Sequence, residues 1–329
     1  MDITRFVSTH KKLLLVGFLV LILAFLATFP LYSKAYDVRV LTFILIYVVL
    51  AVSWAMFSGT TGYMSLAPAA FFGVGIYAMA LLQQELPFPL IIAIGAAISF
   101  AFAVLVGLVT LRLKGMYFAI FTFGLVVFMI EIVQYLETML YQKHGQAIIP
   151  MDNETLFYIM IGVAVVAVLI TYLIRRSRWG LALLSIGGNE EAAEHMGVNT
   201  TMVKVFIFAV SAALMGVAGV IAAPVLIYVN SNIAFSPYYS FLPIFMAILG
   251  GTGTAYGPVI GAFILGYLDT TLRTQLFNYF YLVFGVIMVL IILFLPSGIT
   301  GLLPILRDKL GGGISKMRKV NGSEQHANT

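Results

Sequence analysis

The sequence predicts an all-α bundle of transmembrane helices, and two observations lead to this fold class. Of the 329 residues, 62% are apolar and only 9% carry charge, whereas a soluble domain needs roughly 25% charged residues to cover its surface. The apolar residues also form long charge-free runs, and a helix of about 20 such residues spans the hydrocarbon of a bilayer. Most of the chain is therefore expected to face lipid or other helices, which makes it a polytopic membrane protein.

The lengths of the charge-free runs predict about ten spans. One span each is expected in 13–33, 86–111, 115–130 and 156–174, two in 40–84, three in 205–268 and one in 275–306. The run 115–130 is long enough only if Glu131 lies near the membrane interface. If a hydrophobic stretch is re-entrant, eight spans keep the same sidedness.

The distribution of cations predicts the orientation of the chain. With the amino end in the cytoplasm, fourteen of the 18 Lys and Arg residues fall on the inner side and four on the outer side. This is the bias of the positive-inside rule. We therefore expect a multi-pass membrane protein with both termini in the cytoplasm.

The chain is expected to consist of one membrane domain, residues 1–310, followed by a tail, residues 311–329. The tail begins with three glycines and continues with polar residues, a composition that cannot bury a core. We expect it to be disordered and cytoplasmic. Within the domain, the long polar segment 175–204 is expected to form a cytoplasmic loop.

Two glycine-rich segments interrupt long apolar runs. The candidate helix-break and pathway residues are Gly59, Gly62, Ser65, Gly250, Gly251 and Gly253. Unwound backbone is tolerated at membrane depth only where it is buried in protein or lines a wet cavity, so paired breaks favour a transport pathway. The alternative is equally open, because the same small residues permit close helix packing and tight turns.

The loop 175–204 has the pattern of a short helix that projects from the membrane. Asn189 can cap a helix that begins at Glu190 and ends at Gly197, and the acids Glu190, Glu191 and Glu194 then lie in its first turns. Further apolar side chains are predicted to be available for burial in the groove of a partner protein: Leu183, Leu184, Ala192, Ala193 and Met196. The alternative is an amphipathic loop on the lipid surface, which three acids disfavour.

The sequence lacks the residues that several classes of function require. The sequence has no cysteine and four scattered histidines, which gives no thiol chemistry and no imidazole cluster. It has no phosphate-binding G-x-x-x-x-G-K-[ST] loop, so any energy from a nucleotide would have to come from outside the chain. We expect no enzyme activity, no bound cofactor or metal and no nucleic-acid partner.

The loop also carries a family resemblance. Glu191-Ala192-Ala193 followed after three residues by Gly197 resembles the EAA loop of bacterial ABC-importer permeases. The stretch RSRWGLALLSIGGNEEAAEHMGVN is similar to permeases for branched-chain amino acids. So are SGTTGYMSLAPAAFFGVGIYAMALL from Ser58, LRLKGMYFAIFTFG from Leu111, SAALMGVAGVIAAP from Ser211 and LGGTGTAYGPVIGA from Leu249. The segment from Leu111 resembles the LivM-type subunit more than its LivH-type partner.

The resemblance implies a type II importer permease of the bacterial cytoplasmic (inner) membrane that forms the transmembrane pathway for branched-chain or related hydrophobic amino acids. It also implies partners: a second, LivH-like permease subunit, two cytosolic ABC ATPases and an extracytoplasmic solute-binding protein. The loop residues Asn189 to Glu194 and Gly197 would couple the permease to the ATPases. Because urea and short-chain amide permeases are similar in sequence, the solute stays open.

A different class of function is a self-contained secondary transporter or channel for a small polar solute. Such a protein needs an ion-coupling acid inside the membrane, and Glu131 is the plausible candidate. Asp269 is four residues before Arg273, the spacing of an ion pair on one helix. Uptake by the purified chain alone in proteoliposomes would favour this alternative.

Overall fold

The computed structural model describes residues 26–141, 145–276, 279–294 and 298–301. These residues are mostly helical, with one small antiparallel sheet. Residues 26–32 form α1 and 298–301 form α14. Between them lie α2 (Ala35–Thr61), α3 (Pro68–Leu82), α4 (Phe88–Thr110), α5 (Met116–Tyr141), β1 (Gln146–Ala147), α6 (Asn153–Arg176), α7 (Arg178–Gly188), α8 (Glu190–His195), α9 (Thr200–Leu226), β2 (Tyr228–Val229), α10 (Ser231–Ala234), α11 (Tyr238–Gly250), α12 (Gly257–Gln275) and α13 (Phe280–Phe294). Gln146 pairs with Val229 and Ala147 with Tyr228.

Helices α2 and α9 form the centre of the bundle. Within their most apolar stretches, 83% and 78% of the residues are buried, so both are surrounded by protein rather than lipid. Helices α3 and α4 pack on α9, α6 packs on α2, and α11 and α12 pack on each other and on α2. Helix α5 lies at the periphery against α3, α4 and α10.

Local sequence sets where several helices begin. Asp152 accepts a hydrogen bond from the backbone N–H of Thr155 at the start of α6, and prolines occupy the first turn of α3, α4 and α12. The Asp side chain pairs with one of the N–H groups that have no partner at a helix start, and proline has no N–H that would be left unpaired there. At the other end of α6, Arg175 and Arg176 lie where the helix dipole favours cations.

The bundle has two ends, which lie at opposite ends of the 27-residue helix α2, about 40 Å apart. The loop end contains the end of α2, the turn 111–115, the segment 177–199 and the turn 251–256, which touch one another. The pocket end contains the start of α2, the β1–β2 sheet and the end of α12. The cations at 112, 114, 175, 176, 178 and 204 lie towards the loop end, and those at 34, 39 and 273 towards the pocket end.

Six helical segments among the described residues are long and apolar enough to cross a membrane. They are Ala35–Thr61, Phe88–Thr110, Met116–Met139, Asn153–Arg176, Thr200–Leu226 and Ser231–Gly250. Helix α3 is apolar but has only 15 residues, and α12 is interrupted by Asp269 and Arg273. The expected all-α membrane fold is confirmed, whereas the expected ten spans stay a prediction. Much of the first expected span and the expected tail 311–329 lie outside the described residues.

Helix α3 is short because the chain between α2 and α3 folds back into the bundle. The Ser65 carbonyl accepts a bond from the Trp54 indole N–H at 2.8 Å, and the Ser65 N–H donates to the Ser58 hydroxyl at 3.3 Å. Residues 62–67 therefore run beside the last turns of α2 before α3 begins at Pro68. Side chains of other helices satisfy this non-helical backbone: the hydroxyl of Thr122 accepts from Leu66 N–H, and that of Ser240 donates to Leu66 O.

Candidate functional site

The loop 175–204 folds into two short helices at the loop end, which we call the α7–α8 element (residues 177–199). Ser177, Asn189 and Asn199 cap α7, α8 and α9, since each side-chain oxygen accepts a bond from a backbone N–H of the following helix. Gly197, with a φ of 84°, makes the left-handed turn between α8 and α9. The helix predicted from Glu190 with its Asn189 cap is confirmed.

Glu190 connects this element to the membrane helices. Its carboxylate accepts a bond from the Lys204 ammonium of α9 at 2.5 Å and another from the Tyr63 hydroxyl at 2.5 Å. Lys204 also donates to the Leu111 carbonyl at 3.0 Å. One ammonium group thus joins α8, α9, the end of α4 and the folded-back segment 62–67.

The Glu190 carboxyl is held in its charged form by these donors. Burial would raise its pKa, but the hydrogen bonds from Lys204 and Tyr63 outweigh that effect and lower the pKa below the ordinary value. The side chain of Lys204 is 3% exposed and that of Glu190 15%. The pair is therefore shielded from solvent and salt.

Other side chains of the element point outwards. Glu191 and Ala192 are exposed, Leu184 is 58% exposed and Met196 85% exposed. Glu194 is exposed and accepts a bond from the Thr200 hydroxyl. Glu191 lies 3.3 Å from the Lys114 ammonium in an exposed ion pair, which adds little stability.

Two of the apolar side chains expected to enter a partner are buried in this chain instead. Leu183 is 0% exposed and Ala193 is 3% exposed, because the inner faces of α7 and α8 pack against the bundle. The prediction is wrong for these two residues, since the spacing of apolar residues does not tell which side of a short helix meets its own chain. The outward face keeps Leu184, Ala192 and Met196.

The two predicted helix breaks lie side by side beneath the α7–α8 element. A Cβ atom on Gly59 would lie 2.8 Å from the Thr252 Cβ, and one on Gly187 of α7 would lie 2.4 Å from the Thr60 carbonyl oxygen. The Arg175 guanidinium donates to the carbonyls of Thr252 at 2.7 Å and Ala55 at 3.3 Å. Helix α6 is thereby tied to the second break and to α2 one turn before the first break.

The glycines of the breaks have different roles. Gly62 and Gly251 adopt positive φ values of 75° and 95°, where other residues are strained. A Cβ atom on Gly250 would lie 1.8 Å from the Gly257 carbonyl oxygen, whereas one on Gly253 would have no atom within 4 Å. Gly250 therefore allows α11 and α12 to meet closely.

A cavity of about 540 Å³ opens at the pocket end. Arg39, Asp269 and Arg273 supply its charges, and tyrosines of α2 and α11 form part of its wall. Arg273 Nε lies 3.1 Å from Asp269 Oδ1, and Tyr238 donates a hydrogen bond to the same carboxylate. The ion pair expected from the spacing of Asp269 and Arg273 is confirmed.

Sequence reasoning missed Tyr63, Arg175 and Lys204 as parts of the site. In the sequence, Tyr63 is an aromatic residue within an apolar run, and Arg175 and Lys204 are two of the cations expected on the inner side. No periodicity links Glu190 to Tyr63, 127 residues away. The usable signal was Lys204 itself, since a lysine within an apolar helix start needs a partner.

No group of three His, Cys, Asp or Glu residues that could hold a metal ion occurs in the described part of the chain. The geometry of the loop end instead suits mechanical transmission, because a projecting element is bonded to the ends of several membrane helices. The comparisons with known proteins bear on this interpretation.

A family model described as "Branched-chain amino acid transport system / permease component" matches residues 37–292. The chain is 26% identical to the high-affinity branched-chain amino acid transport system permease protein LivM of Salmonella typhimurium, over 92% of this chain and 77% of that protein. It is 32% identical to LivH of Escherichia coli over 40% of this chain and 42% of LivH.

The ribose import permease protein RbsC of Haemophilus influenzae is 29% identical over 40% of this chain and 42% of its own length. No solved structure gives a significant match. Because the family model covers most of the chain, including the α7–α8 element and both breaks, this multi-pass membrane protein belongs to the family of branched-chain amino acid transport permease components.

Proposed function

We propose that the chain is the LivM-like permease subunit of an ABC importer for branched-chain or related hydrophobic amino acids. It forms the transmembrane pathway together with a second, LivH-like permease subunit. Two cytosolic ATPases and an extracytoplasmic solute-binding protein complete the importer. Support comes from the family match and from the similarity to LivM along most of the chain.

The observation that carries the coupling role is the bonded cluster of Glu190, Lys204 and Tyr63. A docking element transmits motion only if it moves as one piece with the helices behind it. Here the ion pair of Glu190 with Lys204 joins α8 to α9, and the bond from Tyr63 joins both to the folded-back segment 62–67. A displacement of the α7–α8 element by an ATPase would thus reach both breaks.

The charges of the two ends support the orientation in this proposal. The described cations at 112, 114, 175, 176, 178 and 204 lie towards the loop end, which the positive-inside rule assigns to the cytoplasm. In this orientation the α7–α8 element faces the ATPases in the bacterial cytoplasm. The cavity with Arg39 then faces the solute-binding protein.

The outward face of the element gives a test of docking. Met196→Asp introduces a carboxylate at an exposed apolar position without touching the buried cluster. We expect it to lower recovery of the ATPase subunits with the permease by about tenfold, the effect of losing a contact residue. Amino-acid uptake and ATP hydrolysis coupled to uptake should fall with it.

Met202→Asp is the matched control, because Met202 is 59% exposed and lies at the same end, in the first turn of α9 and outside the α7–α8 element. An acid is also favoured at this helix start, so assembly and uptake should be unchanged. Glu191→Gln and Gly197→Ala should weaken coupling without preventing membrane insertion. Normal ATPase recovery and uptake with Met196→Asp, Glu191→Gln and Gly197→Ala would count decisively against docking on this element.

A further inference from the structure

Helix α5 is the least buried of the long apolar helices. Only 17% of its most apolar stretch is buried, compared with 28% or more in the other candidate spans. Its outward positions recur at helical spacing, at Gly124, Val127, Phe128, Glu131, Tyr135 and Thr138. A carboxylate thus lies in the middle of a face that none of the residues described by the structure covers.

The depth of Glu131 follows from a second acid on the same helix. Glu137 is 4% exposed and accepts a bond from the Tyr77 hydroxyl at 2.9 Å, so it points into the bundle near the end of α3. Glu131 lies six residues, about 9 Å, further from the pocket end. Eight residues, about 12 Å, separate it from the end of the candidate span at Met139. In a span with these bounds, its carboxylate lies inside the hydrocarbon layer.

Glu131 makes no hydrogen bond or ion pair with the residues that the structure describes. An ionisable side chain that faces acyl chains is strongly unfavourable, and such groups normally face a protein partner or a wet cavity. By contrast, the outward face of α6 carries the aliphatic side chains of Val165, Val166 and Leu169. The face of α6 suits lipid, whereas that of α5 does not.

The described part of the amino-terminal segment, α1, does not cover α5. Residues 26–32 pack on α6, where the Tyr158 hydroxyl donates to the Ala27 carbonyl and the ring of Phe29 lies 6.3 Å from that of Phe157. The α5 face also has room for a close neighbour. A Cβ atom on Gly124 would find no atom within 4 Å, and a glycine of this kind lets a second helix approach closely. Gly162 on the outward face of α6 is equally open, so the carboxylate of Glu131 is what distinguishes the two faces.

We propose that this α5 face, centred on Phe128 and Glu131, packs against the LivH-like permease subunit, which presents a hydrogen-bond donor to Glu131. The inference rests on the proposed function and names the contact surface for that partner. A second copy of this chain is disfavoured, because a two-fold contact centred on Glu131 would bring two equivalent carboxylates together. A non-identical subunit can supply the complementary group.

Photo-cross-linking in the assembled importer tests the contact directly. The chain has no cysteine, so Phe128→Cys and Val166→Cys each create a single attachment point for benzophenone maleimide. Both positions lie near the middle of their spans, on α5 and α6. Illumination should join the Phe128→Cys variant to the LivH-like subunit, identified by mass spectrometry, and should give no such adduct with Val166→Cys.

The proposal is overturned if the importer is intact and active but only Val166→Cys yields the adduct, or neither variant does. An adduct between two copies of this chain also overturns it. If neither the second permease nor the ATPases co-purify with the unmodified chain, the proposed function itself fails. If the subunits co-purify but the α5 adduct does not form, the proposed contact surface is refuted and the proposed function is not.

Substitution of Glu131 gives an independent measurement. A lipid-facing position accepts leucine readily, whereas an interface that donates to Glu131 does not. Glu131→Leu should therefore lower recovery of the second permease subunit by about tenfold, and Glu131→Gln, which still accepts a hydrogen bond, should lower it less. Unchanged or increased recovery with Glu131→Leu contradicts the proposal.

Discussion

Two neighbouring glutamates of α8 form ion pairs of different kinds. Glu190 pairs with a lysine whose side chain is 3% exposed, whereas the side chains of Glu191 and Lys114 are 77% and 64% exposed. Removing one partner of a shielded pair leaves an uncompensated charge, whereas exposed pairs contribute little. The same substitution in the two pairs therefore separates the structural role of Glu190 from that of Glu191.

Lys204→Met should destabilise the purified permease by about 2 kcal/mol, because the partly buried Glu190 carboxylate loses its cation and keeps only the Tyr63 hydroxyl as a donor. Lys114→Met, the matched control, should leave thermal unfolding in detergent unchanged. The double variant Glu190→Gln with Lys204→Met should recover part of the loss, since no charge is then stranded. Equal unfolding midpoints for Lys204→Met and Lys114→Met would contradict the assignment.

The pH dependence of this pair has a defined sign. Because the pKa of Glu190 is lowered in the folded protein, its contribution is present above the ordinary carboxyl value of 4.5 and is lost as the pH falls through the lowered folded value. Acidification should therefore reduce the difference in stability between the unsubstituted chain and Lys204→Met.

Among the elements, the two helix breaks show what a pattern of glycines can and cannot predict. The sequence correctly indicated interruptions near Gly59 and Gly250, because glycine punctuates helices in apolar runs. It did not indicate that the first break folds back into the bundle. That depends on the hydroxyls of Thr122 and Ser240, which are distant in sequence and have no recognisable spacing.

Gly250→Ala should disrupt the junction between α11 and α12, because its Cβ atom would overlap the Gly257 carbonyl oxygen. We expect a loss of several kcal/mol, as for other overpacked sites, and a lower yield of folded permease in size-exclusion chromatography. Gly253→Ala is the control, since open space surrounds that position. Equal folded yields for the two variants would show that the close contact at Gly250 does not stabilise the fold.

The predicted coupling helix illustrates a second limit. Its start, its Asn189 cap and its Gly197 turn follow from local hydrogen bonding, which short sequence patterns encode. Which face of the helix meets its own chain depends on long-range packing. The burial of Leu183 and Ala193 and the role of Lys204 therefore had to come from the structure.

At the scale of the whole molecule, composition and charge-free runs were sufficient to predict an all-α membrane protein. They could not settle the number of spans, because run length separates only segments that are long enough to span from segments that are too short. The short apolar helix α3 and the charged helix α12 fit neither class clearly. Run length also underestimates α5, because the charge-free run 115–130 stops at Glu131 whereas the helix continues to Tyr141.

The proposed mechanism depends on the difference between the loop end and the pocket end of the molecule. The α7–α8 element, both breaks and Lys204 lie at the loop end, and the cavity with Arg39 and Asp269 lies at the pocket end. An importer of this kind needs a motor on one side and solute delivery on the other. The sidedness of the chain is thus its central property.

Sided labelling of single cysteines measures that property directly. With Ala192→Cys, a membrane-impermeant maleimide should react in inverted vesicles stripped of ATPase, should react much less when the ATPase subunits are bound, and should not react in intact cells. With Tyr36→Cys, at the pocket end, it should react in spheroplasts or permeabilised outer membranes. Labelling of Ala192→Cys from outside the cell, or equal labelling with and without the ATPases, would contradict the account.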